Sequence, residues 1–355
     1  MIQVWNNFIQ KEEMEYFHQA IDDRNIMEGP VLREFEQRMS CLLDIPYVIG
    51  TTSGSAALTL ALMGIGIKPD DEVIVPDLTF IATANAVCIL GAKVVLASTE
   101  KERPILDLES VEQLITNKTR AIITVDLNGR ISWSKELRER YGKRGIYIID
   151  DACQSFMSAD SEGKAGTLAD IGCFSFGITK TLSTINGGMI VTKNRELYEK
   201  MRIIKTQGMR SVFEGDEYIY SGFNFKLPDV LAAIGLGQLE RLDQKMRHMK
   251  MIDEMYRSEL KGVEGIDFIP QKQYEFSWMT DIICSDRDKT RKQLWERGIM
   301  SRPLGMPLHT APYLEEKTDY TYAAELQKKL LFLPSGPDQP LQNVEAVIKA
   351  LKGMG

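Results

Sequence analysis

The sequence predicts an α/β protein, with a large, mostly parallel sheet domain followed by a smaller C-terminal α/β lobe. Three observations carry this. Short β-branched runs alternate with helical segments from about residue 46, and the strands among them are apolar along their whole length. Strands covered on both faces read that way, and parallel strands need helical crossovers to join them. The third observation is a change of pattern beyond Asp151, where the regular alternation stops.

Taken in order, an N-terminal helical segment precedes strand 47–49. Helix 56–63 opens after a Ser/Gly/Ser turn; strand 72–75, helix 80–90 and strand 93–96 follow. Next come helix 108–115, strand 121–125, helix 134–141 and strand 146–149. Residues 173–176 and 189–192 form strands joined by the glycine-containing loop 177–188. Helix 195–205 and helix 227–244 come after, the second with several leucines on one face. Strands 266–270 and 281–284, helix 289–297 and a final helix 343–351 complete the chain. The division falls at residue 240, giving a large domain of residues 1–240 and a small one of residues 241–355. Ligands in such sheets sit at the carboxyl ends of the strands, where loops and helix starts gather.

Composition excludes several classes. With 44% apolar and 26% charged residues the chain is neither disordered nor fibrous. Its net charge of −7 provides no global attraction for phosphate, which argues against nucleic acid or an acidic membrane as partner. Any anionic ligand must be held by local groups such as backbone amides. Cys41, Cys88, Cys153, Cys173 and Cys284 are scattered, with no CxxC pair, as in reduced cytoplasmic proteins. His18, His248 and His309 lie far apart, so no metal site is expected. The N-terminus lacks the basic and apolar regions of a signal peptide. The most apolar window, 80–97, is interrupted by Asn85, Gly91 and Lys93 and reads as a buried helix and strand rather than a membrane span.

Four segments carry candidate chemistry. Thr52 to Leu58 reads either as an N-capped helix or as an anion site, with the amides of Gly54, Ser55 and Ala56 facing a phosphate. Asp150 and Asp151 end an apolar strand, where an unpaired charge is costly. Strand alternation puts them on opposite faces, so only one meets a ligand cation. Lys180 follows a buried strand and opens a Ser/Thr/Gly loop. A solvated lysine is the ordinary reading; a desolvated one loses its proton more easily and becomes a nucleophile. Asn224, in the turn 221–229 before a helix, is able to donate to a ligand, though nothing local demands it.

The order of these segments resembles the fold-type-I pyridoxal-phosphate enzymes, and more closely the DegT/DnrJ/StrS family of sugar aminotransferases. The resemblance runs from Gly29-Pro30-Val31 with Phe35-Glu36 to Leu333-Pro334. Between them lie Ser53-Gly54-Ser55-Ala56-Ala57-Leu58, Pro76 with Thr79-Phe80, and Asp151-Ala152-Cys153-Gln154. Phe174-Ser175-Phe176 with Lys180, Gly187-Gly188, Gly222-Phe223-Asn224-Phe225 and Pro307-Leu308-His309 complete the set.

The resemblance implies that Lys180 forms the Schiff base with pyridoxal 5′-phosphate and then moves the proton between substrate carbon and cofactor. Asp151 would keep the pyridine nitrogen protonated. Phe80 would stack on the ring, and Gln154 would lie near its oxygen. Ser175, Ser55 and the amides of Gly54 and Ala56 would hold the phosphate, and Asn224 would reach the cofactor of the neighbouring subunit in a homodimer. An amino acid, with L-glutamate the leading candidate, would supply the amino group through pyridoxamine 5′-phosphate. The acceptor would be a keto sugar, typically a nucleotide-linked keto-deoxy sugar.

This chain departs from the pattern at four places. Ile185-Asn186 stands where a Gly-Glu pair is common, Lys226 where Arg is usual, and Gln207-Gly208 for a His-Gly pair. Leu304-Gly305-Met306 also lacks a frequent aromatic residue. These changes bear on the acceptor more than on cofactor chemistry. A sugar dehydratase of the same fold is the alternative enzyme, but it carries histidine in place of the Schiff-base lysine. A non-catalytic sensor or scaffold is the other alternative, disfavoured by the intact Lys180, Asp151 and Ser175.

Overall fold

Valine and isoleucine fill the strands at the centre of the protein, whose computed structural model describes residues 1–210, 217–314 and 320–354. β1 (Tyr47–Thr51), β2 (Glu72–Pro76), β3 (Lys93–Ala97) and β4 (Thr119–Val125) join β5 (Tyr147–Asp151), β6 (Ile171–Ser175) and β7 (Gly188–Thr192) in one sheet. The order is β1-β7-β6-β5-β4-β2-β3. Pairings from β3 across to β6 are parallel; β7 runs antiparallel to β6 and β1. Neighbours Ile122 and Ile123 on β4 belong to different buried clusters, so both faces of the sheet are covered. The cover comes from α1 (Lys11–Asp22), α2 (Pro30–Leu43), α3 (Gly54–Ile65), α4 (Ala82–Cys88), α5 (Leu108–Leu114), α6 (Lys135–Tyr141), α7 (Arg195–Lys205) and α8 (Asp229–Glu240).

The second sheet is antiparallel, in the order β10-β11-β9-β8. Its strands are β8 (Ile266–Asp267), β9 (Asp281–Cys284), β10 (Arg302–Pro303) and β11 (Leu330–Phe332). With α9 (Leu242–Glu259), α10 (Arg287–Glu296), α11 (Thr321–Lys329) and α12 (Leu341–Lys352) it has a core of its own, including Ile252, Tyr256, Ile282 and Val344. The first residues of the chain lie against this lobe: Ile2 bridges Ile299, and Trp5 bridges Ser335.

Several expectations change. The helix expected at 227–244 ends as α8 at Glu240, and a second helix, α9, starts at Leu242 and runs well past the expected end to Glu259. The backbone leaves helical geometry between them at Arg241 (φ −105°, ψ 3°), whose guanidinium turns to Glu13 and Asp338. Nor is α8 one-sided. It is buried nearly all round between α1 and α2, and Gly237 lies flush on the backbone of Glu13. The strand expected at 146–149 runs on through Asp151, while that at 266–270 shrinks to two residues. α11, β10, β11 and the part of α9 beyond residue 244 lie outside every element the sequence predicts.

Two recognition motifs are structural. Asp229 on α8 accepts the N–H groups of Gly29, Val31 and Leu32 at 2.8, 3.1 and 2.9 Å, capping α2 from a distant helix. Glu36 accepts the Gly50 N–H at 2.7 Å, and Phe35 packs edge-on against Phe176. The lobes are joined by Arg130 and Asp281, fully buried and paired through two bonds of 2.8 Å. Among the described residues no helix is long and apolar enough to cross a membrane.

Candidate active site

The alternation along β5 sorts its two aspartates. Asp150 turns to one face, where Thr124 Oγ1 and the Gly166 N–H donate to it at 2.9 and 2.8 Å. Burial pushes its pKa up to about 6, and burial beside Asp150 raises that of Asp126 as well. Asp151 turns the other way into a cavity of about 240 Å³. Its carboxylate accepts Thr83 Oγ1–H at 2.7 Å and the Cys153 N–H at 3.2 Å. Thr79 lies 3.1 Å from Thr83, hydroxyl to hydroxyl, so one turn of chain after β2 supports the carboxylate.

Lys180 enters the same cavity from the loop after β6. The side chain is half-buried by surface area, but protein atoms crowd its amine, and this desolvation lowers its pKa. Arg302 lowers it further; Cys153 and Asp151 oppose. Burial also raises the pKa of Cys153 well above its ordinary value, which keeps it a neutral thiol. Lys180 Nζ stands 3.9 Å from the centre of the Trp278 ring, whose Nε1–H donates to the Thr179 carbonyl at 2.6 Å.

Gly54 and Ser55, at the start of α3, and Ser175, at the end of β6, form another wall. A Cβ on Gly54 would come within 2.8 Å of both Ser175 Cβ and Cys153 Sγ, so glycine opens a cradle that any side chain would fill. Ala56 is not part of that wall: its N–H donates to Ser53 Oγ at 3.1 Å. The capping and anion-site readings therefore divide the same turn between them. Phe80 lies at the cavity and is 58% exposed. Gln154 lines it too, its Oε1 held by the Asn128 N–H at 3.2 Å.

Asn224 is exposed and outside this cavity, on a segment next to α3's approach, where Thr52 N–H donates to the Phe225 carbonyl at 3.1 Å. His309 grips Asp77 through Nδ1 at 2.8 Å and stacks on Tyr320. It thereby ties the loop between β2 and Phe80 to the small lobe. Trp278 and Arg302 are cavity residues that sequence reasoning missed. Both come from the small lobe, far from every glycine-rich or acidic signal. A larger hollow of about 550 Å³ beside α6 gathers Arg138, Glu139 and Lys143 but none of these groups.

The cavity thus joins a desolvated amine, a buried carboxylate, a helix start with free amides and a hydroxyl, under a partly exposed aromatic ring. An aromatic cation bearing an aldehyde and a phosphate finds a complementary group for each part. The sequence profile of the DegT/DnrJ/EryC1/StrS aminotransferase family matches residues 7–352. GDP-perosamine synthase of Escherichia coli O157:H7 is 30% identical over 355 residues, covering 99% of this chain and 97% of that protein. GDP-perosamine synthase of Caulobacter vibrioides is 34% identical over 325 residues, covering 88% and 87%. Among solved structures, DesV from S. venezuelae superposes with a TM-score of 0.91 at 30% identity, covering 97% of this chain and 94% of that one.

Proposed function

The chain belongs to the DegT/DnrJ/EryC1/StrS aminotransferase family, and from that premise we propose that it moves an amino group from L-glutamate to a nucleotide-linked keto-deoxy sugar with pyridoxal 5′-phosphate as cofactor. One observation carries the reading: Lys180, with its lowered pKa, shares a cavity with buried Asp151 and the start of α3. Bound there, the cofactor supplies an aldehyde for amine exchange and a protonated ring that draws off electrons. Lys180 Nζ, whose proton burial makes easier to lose, is the nucleophile and then the base that takes the proton from the amino-bearing carbon. Asp151, fixed by Thr83 and Cys153, holds a proton on the ring nitrogen. The Gly54 and Ser55 amides and the Ser175 hydroxyl bind the phosphate, which reconciles an anionic ligand with a net charge of −7. Phe80 covers the ring and Gln154 orients its oxygen.

The proposal includes a homodimer with shared sites and a cytoplasmic location. Asn224, exposed and outside its own cavity, sits near exposed Tyr218 and Phe223, and this favours a role across an interface. All five cysteines are free. The name shared by the two relatives makes GDP-linked keto sugars the first acceptors to test. Protein converted to its amine-bearing form with L-glutamate should regain the absorbance of the aldehyde form when the right keto sugar is added. Failure with every nucleotide-linked keto sugar would overturn the acceptor class; failure of glutamate to bleach the band would overturn the donor.

A further inference from the structure

A buried charged cluster lies one side chain behind the backbone of Lys180. Lys245 on α9 is 1% exposed, and its Nζ donates to Asn7 Oδ1 at 3.0 Å and to Gln238 Oε1. Asn7 Nδ2 in turn donates to the carbonyls of Lys180 and Ile178 at 2.9 and 3.4 Å. Gln238 Oε1 also accepts the Ser183 N–H at 3.2 Å. The loop bearing Lys180 is therefore tied at residues 178, 180 and 183 to two side chains that meet on one ammonium. Around it, Glu13 accepts from Gln238 Nε2 at 2.6 Å and from Arg241 Nη1 at 3.1 Å, and Arg241 Nη2 reaches Asp338 at 2.8 Å. Arg241 and Lys245 balance Glu13 and Asp338, so these four charges cancel only while Lys245 keeps its proton. His248, one turn further along α9, is engaged by the Gln339 carbonyl at 2.7 Å.

We propose that Lys245 is a positioning residue for Lys180, its ammonium fixing Asn7 and Gln238 and, through them, the lysine-bearing loop. The proposal rests on the reading of Lys180 as the reacting amine. Holding the carbonyls at 178 and 180 sets where the Lys180 side chain leaves the backbone, and a misplacement of about 1 Å at reacting atoms costs on the order of a hundredfold in rate. Burial lowers the Lys245 pKa to about 8, with Asp338 and Glu13 opposing and Arg241 adding. Its charge-assisted bonds therefore weaken just above neutral pH.

Hydrogen exchange of the cofactor-loaded protein tests this in wild type, Lys245→Met and Asn7→Ala, with β4 peptides as internal standard. Amides in residues 178–188 should exchange about tenfold faster or more in both variants, the effect of losing a hydrogen bond to a charged group or the link it holds. Wild-type protection there should fall between pH 7 and 9 beyond the intrinsic change, and Lys245→Met should lack that step. In turnover, kcat should fall with KM for the donor within about twofold, as for loss of an interaction that orients the reacting group. Asn7 is half-buried, so Asn7→Ala decides the matter if Lys245→Met does not fold. Unchanged protection at 178–188 in Asn7→Ala would overturn the proposal. Exchange reports on the loop whether or not amino transfer occurs, so a loosened loop in a protein without transaminase activity would refute the function and leave the positioning intact.

Discussion

Gly188→Ala is the sharpest test of the start of α3 as the phosphate end of the cavity. A Cβ at Gly188 would lie 2.4 Å from the Ser53 carbonyl carbon and oxygen and 2.6 Å from Gly54 N. Ordinary contact begins near 3.4 Å, so about 1 Å must be found. β7 is poorly placed to give it, since Gly188 is in register with Thr51 on one side and Ser175 on the other. The backbone at residues 53–54 must retreat instead, carrying the Gly54 and Ser55 amides with it. Overpacking of this kind costs about 1–3 kcal/mol. If that cost falls on the bound state, cofactor affinity drops about fivefold to a hundredfold, at about 1.4 kcal/mol per factor of ten. The assay is a spectroscopic titration of cofactor-free protein with pyridoxal phosphate, with thermal unfolding to show that the variant folds. A folded variant with affinity within about twofold of wild type would refute the reasoning.

Other outcomes follow from the same geometry. Burial lowers the Lys180 pKa, so the unfolded chain binds more protons between that value and the ordinary lysine value of about 10.4. The penalty is present in full below the lowered pKa and disappears as pH rises through this window. Unliganded Lys180→Met should thus be more stable than wild type near pH 7, with the gap closing toward pH 10; a constant or widening gap in thermal unfolding would contradict the burial argument. Ile185, the β-branched residue standing where the family often has glycine, has a φ of +68°. Ile185→Gly should stabilise the protein by up to about 1 kcal/mol in urea unfolding, whereas a loss of that size would show that the conformation is unstrained. Asp281→Ala leaves Arg130 buried without its partner and should cost about 3–5 kcal/mol. The double variant Arg130→Met with Asp281→Leu should recover most of it, and equal losses in single and double variants would refute the ion-pair account.

Local signals made the central sheet legible. Valine and isoleucine runs mark strands covered on both faces, and period-two alternation alone separates Asp150 from Asp151. Gly54, Ser55, Phe80, Asp151, Gln154, Ser175 and Lys180 come together because each sits at a strand end or the turn just beyond it. What escaped depends on tertiary contact. The Ala56 amide looked as available as its neighbours, but the Ser53 hydroxyl occupies it. The break at Arg241 is invisible in a run of good helix formers, because its cause is Glu13 and Asp338 from opposite ends of the chain. Trp278 and Arg302 reach the cavity only through the packing of the small lobe, and nothing in the sequence around Lys245, just past the helix expected at 227–244, marks its burial.

The most direct measurement is a single half-reaction. Cofactor-loaded protein is mixed with L-glutamate, and 2-oxoglutarate is quantified alongside the loss of the aldehyde absorbance band, in wild type and Lys180→Ala. An amino transfer carried by Lys180 gives about one equivalent of oxo acid per chain in wild type and essentially none in the variant. Equal yields from the two proteins, or a wild-type band that glutamate leaves untouched, would contradict it.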